Sequence, residues 1–119
     1  MTPPEEKQAQ YLRELYRFRF SDAQAGSRDR IWAAIVECTL QPLLPPNACV
    51  LDIGSGQGEF LNHIRAARRI GVDLNPENAL LLEQGIEFHA ADVRNLSFLA
   101  NNTVDTVFSS NFLEHLPSK

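Results

Sequence analysis

The chain has 119 residues, enough for one domain of modest size, and its 44% hydrophobic and 22% charged residues are ordinary for a globular protein. A formal net charge of −4 argues against a general nucleic-acid-binding surface, though not against a nucleic acid held in a local groove. No apolar run approaches the roughly 18 residues that would span a membrane, so a soluble cytoplasmic protein is expected.

The N-terminus, Met1-Thr2-Pro3-Pro4-Glu5-Glu6-Lys7, lacks the apolar core of a signal peptide. From Glu5 to about Phe20 the chain reads as a helix, acidic early and basic late as the helix dipole favours. Tyr11, Leu12, Leu15 and Phe18 form its apolar stripe. Ser21 to Ser27 is polar, contains Gly26 and reads as a connection. A second helix is expected from about Arg28 to Leu40 and should be mostly buried. Ile31, Ala34, Ile35 and Cys38 share one face, which Trp32, Val36 and Leu40 widen. Pro42, Pro45 and Pro46 stop this helix, and Asn47 turns the chain into the first strand. Cys38 and Cys49 lie in apolar segments without C-x-x-C spacing, which points to buried, reduced thiols and to no metal site.

The stretch from Cys49 to Phe60 organises the rest. Cys49-Val50-Leu51-Asp52-Ile53 is a short apolar run of the kind that forms a buried parallel strand. It breaks into Gly54-Ser55-Gly56-Gln57-Gly58, after which Phe60, Leu61 and Ile64 stand at helical spacing. Strand, glycine turn and helix together make the unit that holds a nucleotide-like ligand at a helix N-terminus. The spacing is G-x-G-x-G. A dinucleotide fingerprint would need its third glycine where Glu59 stands, and no Gly-Lys-Ser/Thr of a phosphate loop follows.

The second strand is Ile70 to Leu74. Asn75-Pro76-Glu77 then starts a helix, with Asn75 as its N-cap and Gly85 as its stop. Ile86 to Ala91 is the third strand, followed by a loop at Asp92 to Leu96 and a brief helical turn near Phe98-Leu99. Asn101-Asn102 makes a turn, and Val104 to Ser109 is the fourth strand. Strands alternating with helical connections predict a parallel sheet with right-handed crossovers. All the strand C-termini then share one edge, where open α/β sheets bind ligands. At the successive strand ends stand the three glycines, Asp73, Asp92-Val93 and Ser109-Ser110-Asn111. Asp73 falls about 20 residues after the first glycine, where an acidic residue meets ribose hydroxyls in nucleotide-binding sheets.

Asp52 to Gly58, Gly71-Val72-Asp73, Ala91-Asp92-Val93 and Val104 to Ser109 resemble, in order, the motifs of class I S-adenosylmethionine (SAM)-dependent methyltransferases. The likeness covers Ala48 to Leu116. Ser110 to Leu116 is similar to the fourth-motif region of the branch acting on small molecules, lipids and sugars. The chain lacks the Asp/Asn-Pro-Pro-Tyr/Phe signature of the branch that methylates DNA bases. The resemblance implies that Gly54, Ser55, Gly56 and Gly58 hold the amino-acid end of SAM, while Asp52 orients the turn and meets the ammonium through water. It implies that Asp73 takes the ribose diol, Leu74 packs on the adenine, and Asp92 with the Val93 N–H meets the adenine edge. Ser110 and Asn111 would lie near the methyl group. His115, the histidine nearest the fourth strand end, is the candidate base. His63 and His89 receive no role.

The family fold has a seven-stranded sheet of order 3-2-1-4-5-7-6, and this sequence ends soon after the fourth strand. The expectation is therefore a partial Rossmann-like sheet of order 3-2-1-4 with two N-terminal helices. Residues 1–47 would form a helical segment packed on the sheet, and residues 48–119 the cofactor-binding half of a truncated domain. The fourth strand would be an unpaired edge, with Val104, Val107 and Phe108 poorly covered and self-association as the result. The expected partner is a small-molecule methyl acceptor. The alternative is a non-catalytic nucleotide-binding or interaction module derived from the same fold; an NAD-dependent oxidoreductase ranks third because of Glu59.

Overall fold

The computed structural model describes residues 6–10 and 22–110. Residues 6–10 are helical, as expected of the first helix, the remainder of which lies outside the described residues. Four parallel strands make one sheet in the order β3-β2-β1-β4, the predicted partial Rossmann-like arrangement. They are β1 (Cys49–Ile53), β2 (Arg68–Asp73), β3 (Glu87–Ala90) and β4 (Thr106–Phe108). Strand β1 lies inside the sheet, paired to β2 with Leu51 opposite Ile70 and to β4 with Leu51 opposite Val107. Val50 and Leu51 are buried on opposite faces, which is why this strand is apolar without alternation. The Asp105 carboxylate fastens its entry by accepting from the Cys49 N–H at 2.8 Å.

One face of the sheet is covered by helix α1 (Asp22–Ile35) and the short helix α2 (Glu59–His63). Its core is Val36, Ala48, Val50, Phe60, Leu61 and Ile64. On the other face Cys49, Leu51, Ile70 and Val72 are covered by the loops that carry Ala91, Leu96, Leu99 and Val104.

Helix α1 begins six residues before the expected start, at Asp22, and takes in the predicted connection. A single helical glycine costs only about 1 kcal/mol, too little for Gly26 to break the run. A π-turn over Val36–Leu40 and a 3-10 turn over Gln41–Leu43 extend it to the prolines. The helix is mostly exposed rather than mostly buried, and its inward face is not the expected one: Ile31 is 58% and Ile35 39% exposed, and Ala34 and Cys38 are exposed. Trp32, Val36 and Leu40, at i, i+4 spacing, seat the helix instead, because the Trp32 ring packs edge-on against Phe108 and sets the helix rotation. Cys49 is buried and free, as expected.

After β2, Asn75 caps as predicted, its Oδ1 accepting from the Glu77 N–H at 3.0 Å. The segment it caps, Pro76–Leu81, is a 3-10 helix rather than an α-helix reaching Gly85. The Asn62 side chain explains the early stop. It donates to the Leu81 carbonyl and accepts from the Glu83 N–H, taking backbone groups that a longer helix would need. Gly85 instead sits in the turn before β3 with φ +92°. The expected helical turn at Phe98-Leu99 is a plain turn. Asn47 and Asn102, both with positive φ, occupy the turns predicted for them.

Candidate functional site

The turn after β1 is built on left-handed backbone. Gly54, Gly56 and Gly58 have φ of +71°, +53° and +75°, a region that costs a side-chain-bearing residue energy. The Gly54 and Ser55 N–H groups both donate to the Val72 carbonyl, at 2.8 and 3.1 Å, and this pins the turn to the end of β2. Asp73 completes the brace. One of its carboxylate oxygens accepts from the Gly56 N–H at 3.0 Å and the other from the Asn75 N–H at 2.9 Å. Gly58 is the N-cap of α2, where a Cβ would collide with Leu82. Gly71, opposite Asp52 in the sheet, has no side chain because a Cβ would stand 2.9 Å from Leu61 Cδ1 and 3.1 Å from Ser55 Oγ.

The turn borders a cleft of about 370 Å³ at the carboxyl edge of the sheet. Asp52, Gly54, Ser55, Gly56, Asp73 and Ser110 contribute to its lining. So do three aromatic rings, with Phe60 stacked on Phe108 at 3.8 Å between centroids and Trp32 edge-on to Phe108 at 6.3 Å. Arg28 and Glu59 also line it and are ion-paired at 2.6 Å. Asp52 is 3% exposed, and burial, with a further push from the Asp73 charge, raises its carboxyl to about 8. Ser55 is 8% exposed and its Oγ has no hydrogen-bond partner.

The structure thus gathers Asp52, Gly54, Ser55, Gly56, Asp73 and Ser110 around one cleft, with Gly58 behind them as the helix cap. Leu74, 71% exposed, and Asp92 and Val93 are not part of the lining. The Asp92 carboxylate is held by Arg94, with the Nη2 contact at 2.6 Å, and this pairing pulls it down to about 2. Asn111 and His115 lie outside the described residues. His63 pairs with Asp29 at 2.8 Å and His89 stacks on Phe98, both away from the cleft lining. The sequence pointed to neither Arg28, Trp32, Gln57 and Glu59 nor Phe60 and Phe108 as cleft residues. Phe60 and Glu59 directly follow the turn, which is the one signal that could have flagged them.

Comparison with known proteins adds a family. A profile describing a methyltransferase domain matches residues 51–119, more than half of the chain. Among solved structures, one similar chain is the plantazolicin methyltransferase BpumL, crystallised with a pentazolic desmethylPZN analog and SAH. It shares 18% identity with a TM-score of 0.43, over 87% of this chain and 40% of its own length, so this chain spans about two fifths of that protein. No curated protein matches. The profile match takes in the glycine turn and strands β2 to β4, and the chain belongs to the methyltransferase domain family.

Proposed function

We propose that this chain binds S-adenosylmethionine at the turn after β1 and supplies the cofactor half of a methyltransferase whose acceptor is a small molecule. The observation that carries the reading is the left-handed glycine turn bordering a cleft that Asp52 and Asp73 also line. The residues fit the group. A Cβ on Gly56 would meet only the Gly54 carbonyl, at 3.9 Å, so bare backbone lies open there to an amino-acid moiety. Asp52 offers a carboxylate to an ammonium. Each Asp73 oxygen accepts one backbone N–H and keeps capacity for a ribose hydroxyl. Leu74, Asp92 and Val93 follow β2 and β3 on the same sheet edge and are assigned to the adenine, with Asp92 sharing its carboxylate between Arg94 and the base.

When bound, the cofactor supplies a methyl group on an already activated sulfonium. What remains for the protein is to orient: to hold the amino-acid end on the turn and to present an acceptor in line. Trp32 and Phe108 exclude water from the cleft wall next to Ser110. Ser110 and Asn111 are assigned to the neighbourhood of the methyl group, and His115 to removal of the acceptor's proton.

The test is a calorimetric titration of the chain with S-adenosylhomocysteine, with NADH in parallel. Binding of the first and not of the second is the expected result. A folded sample that binds NADH, or neither ligand, overturns the reading.

A further inference from the structure

Asp52 is a carboxyl group that the fold has enclosed and left without a partner. It is 3% exposed, yet no hydrogen bond or ion pair reaches it among the described residues, and it opens into the cleft. Every other acidic side chain lining that cleft has a donor. Asp73 accepts two backbone N–H groups, and Glu59 holds Arg28 at 2.6 Å.

Among the described residues nothing around Asp52 neutralises it. From β2 it faces Asp73, a like charge. From α1 the charged group at the cleft is Arg28, which is engaged by Glu59 of α2. The β4 side contributes Phe108 and Ser110, neither of them charged. An ionised carboxylate in this position, buried and beside a second carboxylate, is costly unless a cation joins it.

We propose that Asp52 carries a proton in the free protein and releases it to solvent when a ligand's ammonium group enters the cleft, so that binding of the cofactor's amino-acid end is coupled to loss of one proton. This rests on the cofactor reading above and adds to it a mechanism by which the site tells a ligand with an ammonium from one without. The Asp52 O–H bond breaks, the proton leaves to the buffer, and the carboxylate and the ammonium remain as a pair. The elevated carboxyl, about 8, places the linkage in the physiological range. Below that value the competent, ionised form is the minor one, and affinity falls with its fraction.

The experiment titrates the chain with S-adenosylhomocysteine, and separately with 5′-methylthioadenosine, which keeps the nucleoside and thioether but has no amino-acid group. Calorimetry at pH 7 in buffers of different ionisation enthalpy reads the protons exchanged, and a pH series from 6 to 9 reads the affinity. For S-adenosylhomocysteine the expected result is release of close to one proton, with affinity rising about tenfold per pH unit up to pH 8 and levelling above. For methylthioadenosine no proton is exchanged and the affinity is flat. Asp52→Asn, the neutral isostere, should bind S-adenosylhomocysteine without proton release. If that variant fails to fold, the contrast between the two ligands on the unmodified chain decides by itself. Tight S-adenosylhomocysteine binding without proton exchange overturns the proposal while the cofactor reading stands, and so does equal proton release with methylthioadenosine. No S-adenosylhomocysteine binding at any pH overturns both.

Discussion

The same buried carboxyl sets the stability of the free protein against pH. In the unfolded chain Asp52 ionises near its ordinary value of 3.8, whereas in the folded chain burial and Asp73 raise it to about 8. Between these values the folded state holds a proton that the unfolded state has lost, so stability must fall as pH rises. The slope for one such group is about 1.4 kcal/mol per pH unit. From pH 5 to pH 7 the loss is about 2 to 3 kcal/mol, a large share of the net stability of a domain of this size. The other resolved carboxylate shifts do not enter this window. Asp92 and Glu87 are lowered by Arg94 and Arg68, so their stabilisation is present above their unfolded values and fades only in stronger acid. The assay is urea unfolding of the unliganded chain at pH 5, 6, 7 and 8, for the natural sequence and for Asp52→Asn. The natural chain should lose stability steadily up to pH 7 and level off near 8, and the asparagine variant should not. A natural chain whose stability is flat or rising between pH 5 and 7, or a variant with the same slope, refutes the reasoning.

Gly58→Ala should cost about 1–3 kcal/mol and shift the thermal midpoint downward, because alanine would sit at φ +75° with its methyl group driven into Leu82. An unchanged midpoint would show that the turn relaxes freely. Asp73→Ala should weaken S-adenosylhomocysteine binding by roughly 1.5–3 kcal/mol, read by calorimetry, since a charged acceptor is lost. The loss should come with a more mobile glycine turn, read as faster amide exchange at Gly56, whose N–H the carboxylate now holds. Strand β4 has no partner on its outer side among the described residues and Val107 is 59% exposed, so the chain should self-associate. Sedimentation that shows a monomer at every concentration would contradict this.

The strands themselves and the placement of the glycine turn were legible because each rests on a local signal, whereas the strand order was legible only through the family resemblance. An apolar run without alternation marks a buried parallel strand, and alternate glycines mark the left-handed turn at its end. Asn75, Asn47 and Asn102 were legible for the same reason, since their side chains act on their own backbone neighbours. What the sequence hid depends on contacts across the fold. Which face of α1 is buried was decided by Trp32 meeting Phe108, seventy-six residues away in the chain, rather than by the count of apolar residues on each face. The end of the segment after Asn75 was decided by Asn62, a residue of another element. The aromatic wall of the cleft was hidden likewise. Phe60 read as part of an apolar helix face and Phe108 as a poorly covered residue of an edge strand, and only their stacking at 3.8 Å brings them to the rim of a site. Phe108 is also better covered than an edge strand would suggest, while Val107 on the opposite face is not.

The fold departs from its own rules at the cleft to which the cofactor is assigned. Away from the cleft, polar side chains near the core are matched to backbone. Gln41 both donates to the Arg65 carbonyl and accepts from its N–H, at 2.9 and 2.8 Å, Asn62 makes the equivalent pair with Leu81 and Glu83, and Asp105 caps Cys49. In the cleft the matching stops. At the turn that borders it, Ser55 Oγ is buried against Gly71 without a partner, Asp52 is buried with no donor among the described residues and beside a second carboxylate, and three left-handed residues fall within five positions. A chain that satisfies distant polar groups so regularly could satisfy these by ordinary substitution: alanine at Ser55 and valine or isoleucine at Asp52 would suit a sheet interior better. Among the described residues most of the cost is concentrated where a ligand with an ammonium and hydroxyl donors would cancel it. The unpartnered Asn78 Oδ1 is the exception among the described residues, and it lies in the 3-10 segment that follows β2, outside the cleft lining. Binding energy from such a ligand would therefore act on groups the fold has already positioned, which is how the proposed site, with so few side chains, would select a charged, flexible cofactor.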